Sequence, residues 1–370
     1  MSDVRFIPES TGPRIRFEVA PVHNMLCSLC LLNQPHLDHI SPWVDRTLAA
    51  LTPEEKQAAE LACDTGMFIG ESAAGDVSRF ASELRGRDPE ELAAIAMDRL
   101  LVKAERQLGP DGLPSRDEIR RDRDAYLGVV KRLLDEYGEP FDPEEASREY
   151  ERYQDPSAFR DRLADGIELL WKNHLADEWE RVRPAIEDSV RAFRSVRLPS
   201  GDLASRLQYV TGRDFVPGEW VELVSAAQEI VCVPSVHIGP YMILFEFDGR
   251  RAFIVCRARI PEGATVRSPA LDRSDLLMKL DALSDSTRLR VLELSAERGL
   301  VTTQDVIDAL ELSQSSASRH LIQLAATGLL TVDGSERTKK YRVNPRRIDD
   351  VCGGLKALVA RRSSHEGGTR

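Results

Sequence analysis

The sequence predicts an α+β protein: a mostly helical N-terminal region ends in a β-hairpin and small sheet, and a C-terminal domain of short helices and one hairpin follows. Three observations carry this. Apolar residues recur at i, i+3/i+4 spacing through much of the first 195 residues. The pattern changes to β-rich runs joined at Asp248-Gly249. From residue 271 onward, capped helices precede a second, basic hairpin.

In chain order, residues 4–7 and 14–19 read as strands, and residues 22–51 as helical, with Pro42 opening the second half. Thr52-Pro-Glu-Glu supplies an N-cap and a proline at the first helical position for residues 52–73. Residues 78–101 and 115–137 also read as helices. The Pro/Glu/Asp-rich stretch 138–157 is expected to be an exposed connection. In residues 158–195, Leu163, Ile167, Leu170, Trp171, Leu175, Trp179, Val182 and Ile186 form a buried stripe that Pro184 should kink or break. Trp171, Trp179 and Trp220 read as core. Residues 241–258 form the hairpin, with 220–223 and 230–233 as candidate partners. His237, beside Gly239-Pro240, either satisfies a turn or lines a pocket. The implied organisation is a helical region (1–198), a β-rich segment (199–260), a linker (261–270), a C-terminal domain (271–362) and a disordered tail (363–370).

Composition limits the function classes. No apolar run approaches the roughly 20 residues of a membrane span, and no secretory signal is visible. Six cysteines are too sparse for a disulfide scaffold, so a reducing cytoplasm is the expected location, with no membrane partner. Net charge is −11, but residues 271–370 carry 16 Lys/Arg against 14 Asp/Glu. The acidity therefore belongs to the N-terminal part, and a local basic face survives at the C-terminus. No phosphate loop, nucleophile elbow or spaced carboxylate pair is present, so neither an enzyme nor a cofactor is expected.

The C-terminal domain is the most legible part. Leu276, Leu277, Leu280 and Leu283 mark a first helix. Asp285 opens a second, with Leu289, Leu292 and Leu294 facing inward and Gly299 ending it. Thr302 or Thr303 caps a short third helix, and Ser313 caps a fourth, residues 314–327, held by Ala317, Leu321 and Leu324. After Gly328, residues 329–332 and 340–343 pair around Asp333-Gly334-Ser335, and Pro345 starts a last helix reaching about Arg361. This order is that of a winged helix-turn-helix, a scaffold that lays one helix in the DNA major groove. The candidate DNA-binding residues are Ser313, Gln314, Ser315, Ser316, Ser318, Arg319 and His320 on the fourth helix, and Arg337, Lys339 and Lys340 on the wing. Short polar side chains near a helix N-terminus approach base edges closely, and wing cations suit phosphates.

Leu283-Ser-Asp-Ser-Thr-Arg-Leu-Arg-Val-Leu and Leu312-Ser-Gln-Ser-Ser-Ala-Ser-Arg-His-Leu resemble the signature segments of the ArsR family of bacterial winged-helix regulators, over roughly residues 272–361. The resemblance implies a homodimer formed through the first and last helices, repressing a promoter by occupying an inverted repeat. The N-terminal region also resembles an extra domain on some actinobacterial-type members. Metal-sensing members carry Cys-x-Cys on the third helix, where this chain has Thr302 and Gln304. Others use paired carboxylates and histidines on the last helix; Asp349, Asp350 and His365 lack that spacing. No metal site is therefore carried over. Cys27-x-x-Cys30 with His36 and His39 could form a tetrahedral zinc site. The flanking Met25, Leu26, Leu29, Leu31 and Leu32 instead read as a buried helix with ordinary core cysteines. The expected function is a dimeric repressor of double-stranded DNA with an unidentified small-molecule effector. The alternative is a winged helix that docks protein, beside a ligand- or metal-sensing N-terminal domain.

Overall fold

The computed structural model describes residues 12–33, 41–66, 76–137, 140–212, 224–239, 241–247, 250–333 and 339–365. Residues 4–7, His36, His39, Trp220, the Asp248-Gly249 turn and the Gly334–Arg337 stretch lie outside them. The class is α+β. By contact, the chain divides into two compact units: Ala20–Pro35 with Arg46–Trp179, and Met1–Val19 with His36–Asp45 and Glu180–Arg370.

The first unit is helical: α1 (Pro21–Leu32), most of α2 (Pro42–Ala50), α3 (Pro53–Gly66), α4 (Val77–Arg85), α5 (Pro89–Leu108), α6 (Arg116–Arg121), α7 (Arg123–Tyr137), α8 (Pro143–Tyr153) and α9 (Pro156–Leu170). Local chemistry sets their starts. Asp76, Asp88, Ser115, Asp142 and Asp155 each accept a main-chain N–H of the first turn, and Pro89, Pro143 and Pro156 take early positions that need no donor. Asp88 splits residues 78–101 into two helices, and Asp122, which accepts the Asp124 amide at 2.8 Å, splits residues 115–137. Helix α1 is buried almost all round, as its unbroken apolar sequence requires. Helix α9 is central, packed by α3, α4, α5 and α8. Gly166 permits the α3 approach, since a Cβ there would stand 2.9 Å from the Ala58 Cβ. Arg85 ties α4 to α9 by paired bonds to Glu168 (2.7 and 2.9 Å) and one to Asp165 (2.7 Å).

Residues 138–157 are not the exposed connection expected. Within them, α8 buries Ala146, Tyr150 and Tyr153, and Tyr153 meets Phe159 edge-on at 5.2 Å. The acidic residues occupy the opposite face and the first turn, where the helix dipole favours them.

Helix α10 (Ala176–Ser195) follows a π-turn over Trp171–Leu175 and runs unbroken through Pro184. The proline was expected to kink or break it. A mid-helix proline costs about 3 kcal/mol, and burying the flanking Val182 and Ile186 recovers about that much. Trp171 and Trp179 are half-buried rather than fully core.

In the second unit, a four-stranded sheet has the order β1 (Arg14–Phe17), β2 (Glu229–Ser235), β4 (Arg251–Arg257), β3 (Ile243–Phe247). The expected hairpin forms, with Phe245 opposite Phe253. Strand β2 joins it as expected, parallel to β4, and β1 adds parallel to β2 with Ile15 opposite Ile230. One face packs on α10 and α11 (Leu203–Thr211), a helix inside the segment expected to be β-rich. Phe17 stacks on Phe193 at 4.6 Å, and Leu207, Val210, Ile230 and Ile254 complete that core. His237 is buried and packs on Trp43, with ring centroids 4.5 Å apart and the planes tilted by 33°.

The same unit contains α12 (Pro269–Ser284), α13 (Ser286–Arg298), α14 (Thr303–Leu310), α15 (Gln314–Ala326), a hairpin of β5 (Leu330–Asp333) and β6 (Lys340–Val343), and α16 (Pro345–His365). They follow the order expected, although α16 runs past Arg361. No helix among the described residues is long and apolar enough to cross a membrane.

Burial holds the His23 imidazole on α1 down to a pKa of about 4, from 6.5. The unfolded chain therefore takes up this proton first. Stability from this group is full above pH 6.5 and falls by roughly 3 kcal/mol as the pH approaches 4. Urea melts of His23→Gln at pH 7, 5.5 and 4.5 should show a flatter acid limb than the parent. Parallel limbs would rule out His23 as the acid-labile group.

Candidate nucleic-acid interface

The interface is built on a small apolar core. Val291, Leu292 and Leu294 of α13, Val301, Val306 of α14, Ala317, Leu321 and Leu324 of α15, and Leu329, Leu330 and Tyr341 of the hairpin are all buried together. Leu289 was expected inward but is 42% exposed. Besides Val291, Leu292 and Leu294, α13 buries two polar residues, Arg288 (3% exposed) and Ser295 (1%).

Arg288 is the hub. Its Nε donates to the Ala282 carbonyl (2.7 Å), Nη2 to the Asp281 carbonyl (3.1 Å) and Nη1 to Gln323 Oε1 on α15 (2.6 Å). Its main-chain N–H donates to Asp285, the cap of α13, at 2.8 Å. One side chain thus joins the end of α12, the start of α13 and the body of α15. Burial alone would raise the Asp285 carboxyl, but the Arg288 amide and guanidinium and nearby His320 outweigh it and hold it ionised.

Between α14 and α15 the chain turns through Glu311, whose φ of 56° is left-handed. That conformation costs a side-chain-bearing residue roughly 1–2 kcal/mol and is imposed by the packing on both sides. Thr302 and Asp305 cap α14 reciprocally, with Thr302 Oγ1 receiving the Asp305 amide at 3.2 Å. Gln304 donates to Asp308 at 2.7 Å. The positions that would carry the third-helix metal cysteines therefore serve helix structure here.

Helix α15 starts at Ser313, whose Oγ accepts the Ser316 amide (3.2 Å) and lies 3.1 Å from the Ser315 Oγ. Gln314, Ser315 and Arg319 are exposed; Ser316, Ser318 and His320 are half-buried. Ile322, 43% exposed, extends this outward face. Lys339 is half-buried and Lys340 exposed at the start of β6; Arg337 lies outside the described residues. The hairpin is anchored by Val301, which exchanges main-chain bonds with Tyr341 at 3.0 and 2.8 Å. The polar start of α15 and the basic start of β6 thus belong to elements that share one small apolar core. Cys27 and Cys30 are buried in α1, in the other unit, where hydrogen bonding to Cys63, then burial, raises the Cys30 thiol. No group of three or more His, Cys, Asp or Glu able to hold a metal occurs among the described residues. Sequence reading missed Arg288 and Gln323; an arginine inside a polar signature reads as exposed.

Part of the chain is similar to an ArsR-type regulator. Over 77 residues, 21% of this chain, 38% of positions are identical to the arsenic resistance transcriptional regulator ArsR1 of Pseudomonas putida. The chain spans about 60% of that relative's length. No family model and no solved structure matches the chain.

Arg288→Met keeps an unbranched side chain but strands three buried acceptors. It should cost roughly 2–4 kcal/mol in urea denaturation, and a loss below about 0.5 kcal/mol would remove Arg288 as the hub.

Proposed function

We propose that this chain is a DNA-binding transcriptional regulator that acts as a homodimeric repressor through a winged helix-turn-helix. The observation that carries the reading is the exposed polar start of α15, Gln314, Ser315 and Arg319, on the same small domain as the cationic start of β6, in a chain otherwise strongly acidic. Arg319 reads a base edge or a phosphate, and Lys339 and Lys340 neutralise phosphates. Ser313, Ser316, Ser318, His320 and Arg337 are the remaining proposed contacts. The partial likeness to a named transcriptional regulator supports the same class.

The homodimer forms through α12 and α16. Leu277, Leu355 and Val359 are 51%, 43% and 62% exposed on these helices, an apolar surface that a second copy would cover. Two copies of α15 then reach successive major grooves of an inverted repeat, about one helical turn apart. Exposed Ile322 on α15 favours a second reading, protein docking. Salt separates the two, because DNA affinity falls steeply with salt and apolar docking does not.

In fluorescence anisotropy on DNA from upstream of its own gene, Arg319→Ala should weaken binding by roughly tenfold. Lys339→Ala with Lys340→Ala should reduce the slope of log K against log salt by about two. Wild-type behaviour in both variants would sink these contacts. Leu355→Glu with Val359→Glu should convert a dimer to a monomer in sedimentation, and an unchanged dimer would place the interface elsewhere.

A further inference from the structure

A cavity of about 350 Å³ lies in the second unit, between the end of β4, α12 and α16. Its charge balance opposes that of the chain. Five cationic side chains (Arg257, Arg259, Arg273, Lys279 and Arg347) line it against three carboxylates (Asp272, Asp275 and Asp350). The carboxylates are already shared out. Asp275 serves two cations at once, Arg257 and Lys279, the latter at 2.6 Å and 5% exposed. Arg347 meets Asp350 at 3.2 Å.

Arg259 is left over. Its Nη1 donates to the Tyr209 and Val210 carbonyls at 2.7 and 3.1 Å, its Cζ lies 5.8 Å from the Phe193 ring centroid, and it forms no ion pair within 4.0 Å among the described residues. The Nε–Nη2 edge makes no hydrogen bond among the described residues, and this is the edge that grips a carboxylate with two parallel bonds. Gly212 (φ +72°) lies against the guanidinium, where a Cβ would come within 3.3 Å of Cζ. Burial, then the nearby Arg257 charge, pulls the Arg259 pKa down to about 10; Asp275 offsets this in part and Arg347 adds to the repulsion. The remaining wall is apolar: Ile260, Leu271, Leu276 and Leu358. The cavity is thus lined by a guanidinium whose Nε–Nη2 edge makes no hydrogen bond among the described residues and by a hydrophobic wall, with cationic charge in excess.

Arg259 and Arg347 also line a second cavity of about 450 Å³, whose wall includes Ala325 and Gly328 at the end of α15. The Arg347 side chain lies against Gly328 (φ +76°), where a Cβ would come within 3.3 Å of Nε. Two main-chain bonds lie alongside, Arg347 to Asn344 (3.1 Å) and Asn344 to Leu329 (2.9 Å). An anion that draws Arg347 toward Arg259 acts directly on the C-terminal end of α15.

We propose that this cavity binds a small organic acid, its carboxylate on the Nε–Nη2 edge of Arg259 beside Arg347 and its apolar body against Leu276 and Leu358, and that occupancy alters the hold of α15 on DNA. The second clause rests on the regulator reading; the first does not.

Saturation-transfer NMR on the full chain, with phenylacetate, 4-methylpentanoate and the corresponding amides at low-millimolar concentration, tests the site. Both acids should receive saturation and the amides should not. The signal should vanish in Arg259→Gln, and also in Leu358→Trp, which fills the cavity, leaves every charge in place and should melt like the parent. Equal signals from acids and amides, or acid signals surviving in Leu358→Trp, would overturn the site. Displacement by equimolar inorganic phosphate would overturn the carboxylate assignment. Coupling is read separately, as a change of roughly fivefold or more in DNA affinity with phenylacetate, absent in Leu358→Trp. DNA binding that ignores a bound acid overturns the coupling alone. If no DNA is bound, the regulator reading fails, while NMR still decides the site.

Discussion

The geometry of the candidate interface depends on one buried guanidinium. Arg288 directs its donors to two carbonyls at the end of α12 and the side-chain amide oxygen of Gln323 on α15, and so fixes where α15 stands relative to α12 and α13. Apolar packing alone would leave that helix free to slide by small repacking steps, because hydrophobic contacts are not directional. A planar donor with three acceptors removes that freedom. The desolvation of an arginine is tolerable there only because its partners are complete and Asp285 stays ionised nearby.

Charge is distributed to the same end. The acidic excess sits in the N-terminal 270 residues, where carboxylates cap helices or pair with arginines such as Arg85 and Arg120. Exposed pairs of this kind contribute little stability, so much of this charge serves solubility and long-range repulsion. The C-terminal domain, nearly balanced overall, concentrates cations in two places. One is the hairpin beside α15; the other is the cavity behind it. Arg347 borders that cavity while touching Gly328, which connects an interior charge cluster to the end of the outward-facing helix.

Much of the helical content was legible because capping is local. Thr52-Pro-Glu-Glu, Asp285-Ser-Thr-Arg and Ser313-Gln-Ser-Ser each announce a helix start within four residues, and each start lies where the caps put it. The candidate interface was legible for the same reason, since Ala317, Leu321 and Leu324 declare which face of α15 is inward. Reading failed where composition masked pattern. In α8 the buried stripe is carried by alanine and tyrosines among glutamates, and in α13 an arginine and a serine that look like surface residues are buried beside Val291, Leu292 and Leu294.

What the sequence by itself determined is the set of local states: helix starts, the hairpin around Asp248-Gly249, and the polar and apolar faces of each helix. These depend on contacts within a turn or two, so a short window contains their physics. Tertiary structure alone decided that β1 lies parallel to β2 more than 200 residues away, that α10 continues through Pro184, and that Arg288 points inward. Each outcome sets a local cost against burial or hydrogen bonds supplied by distant residues. Those partners exist only once the chain has closed on itself.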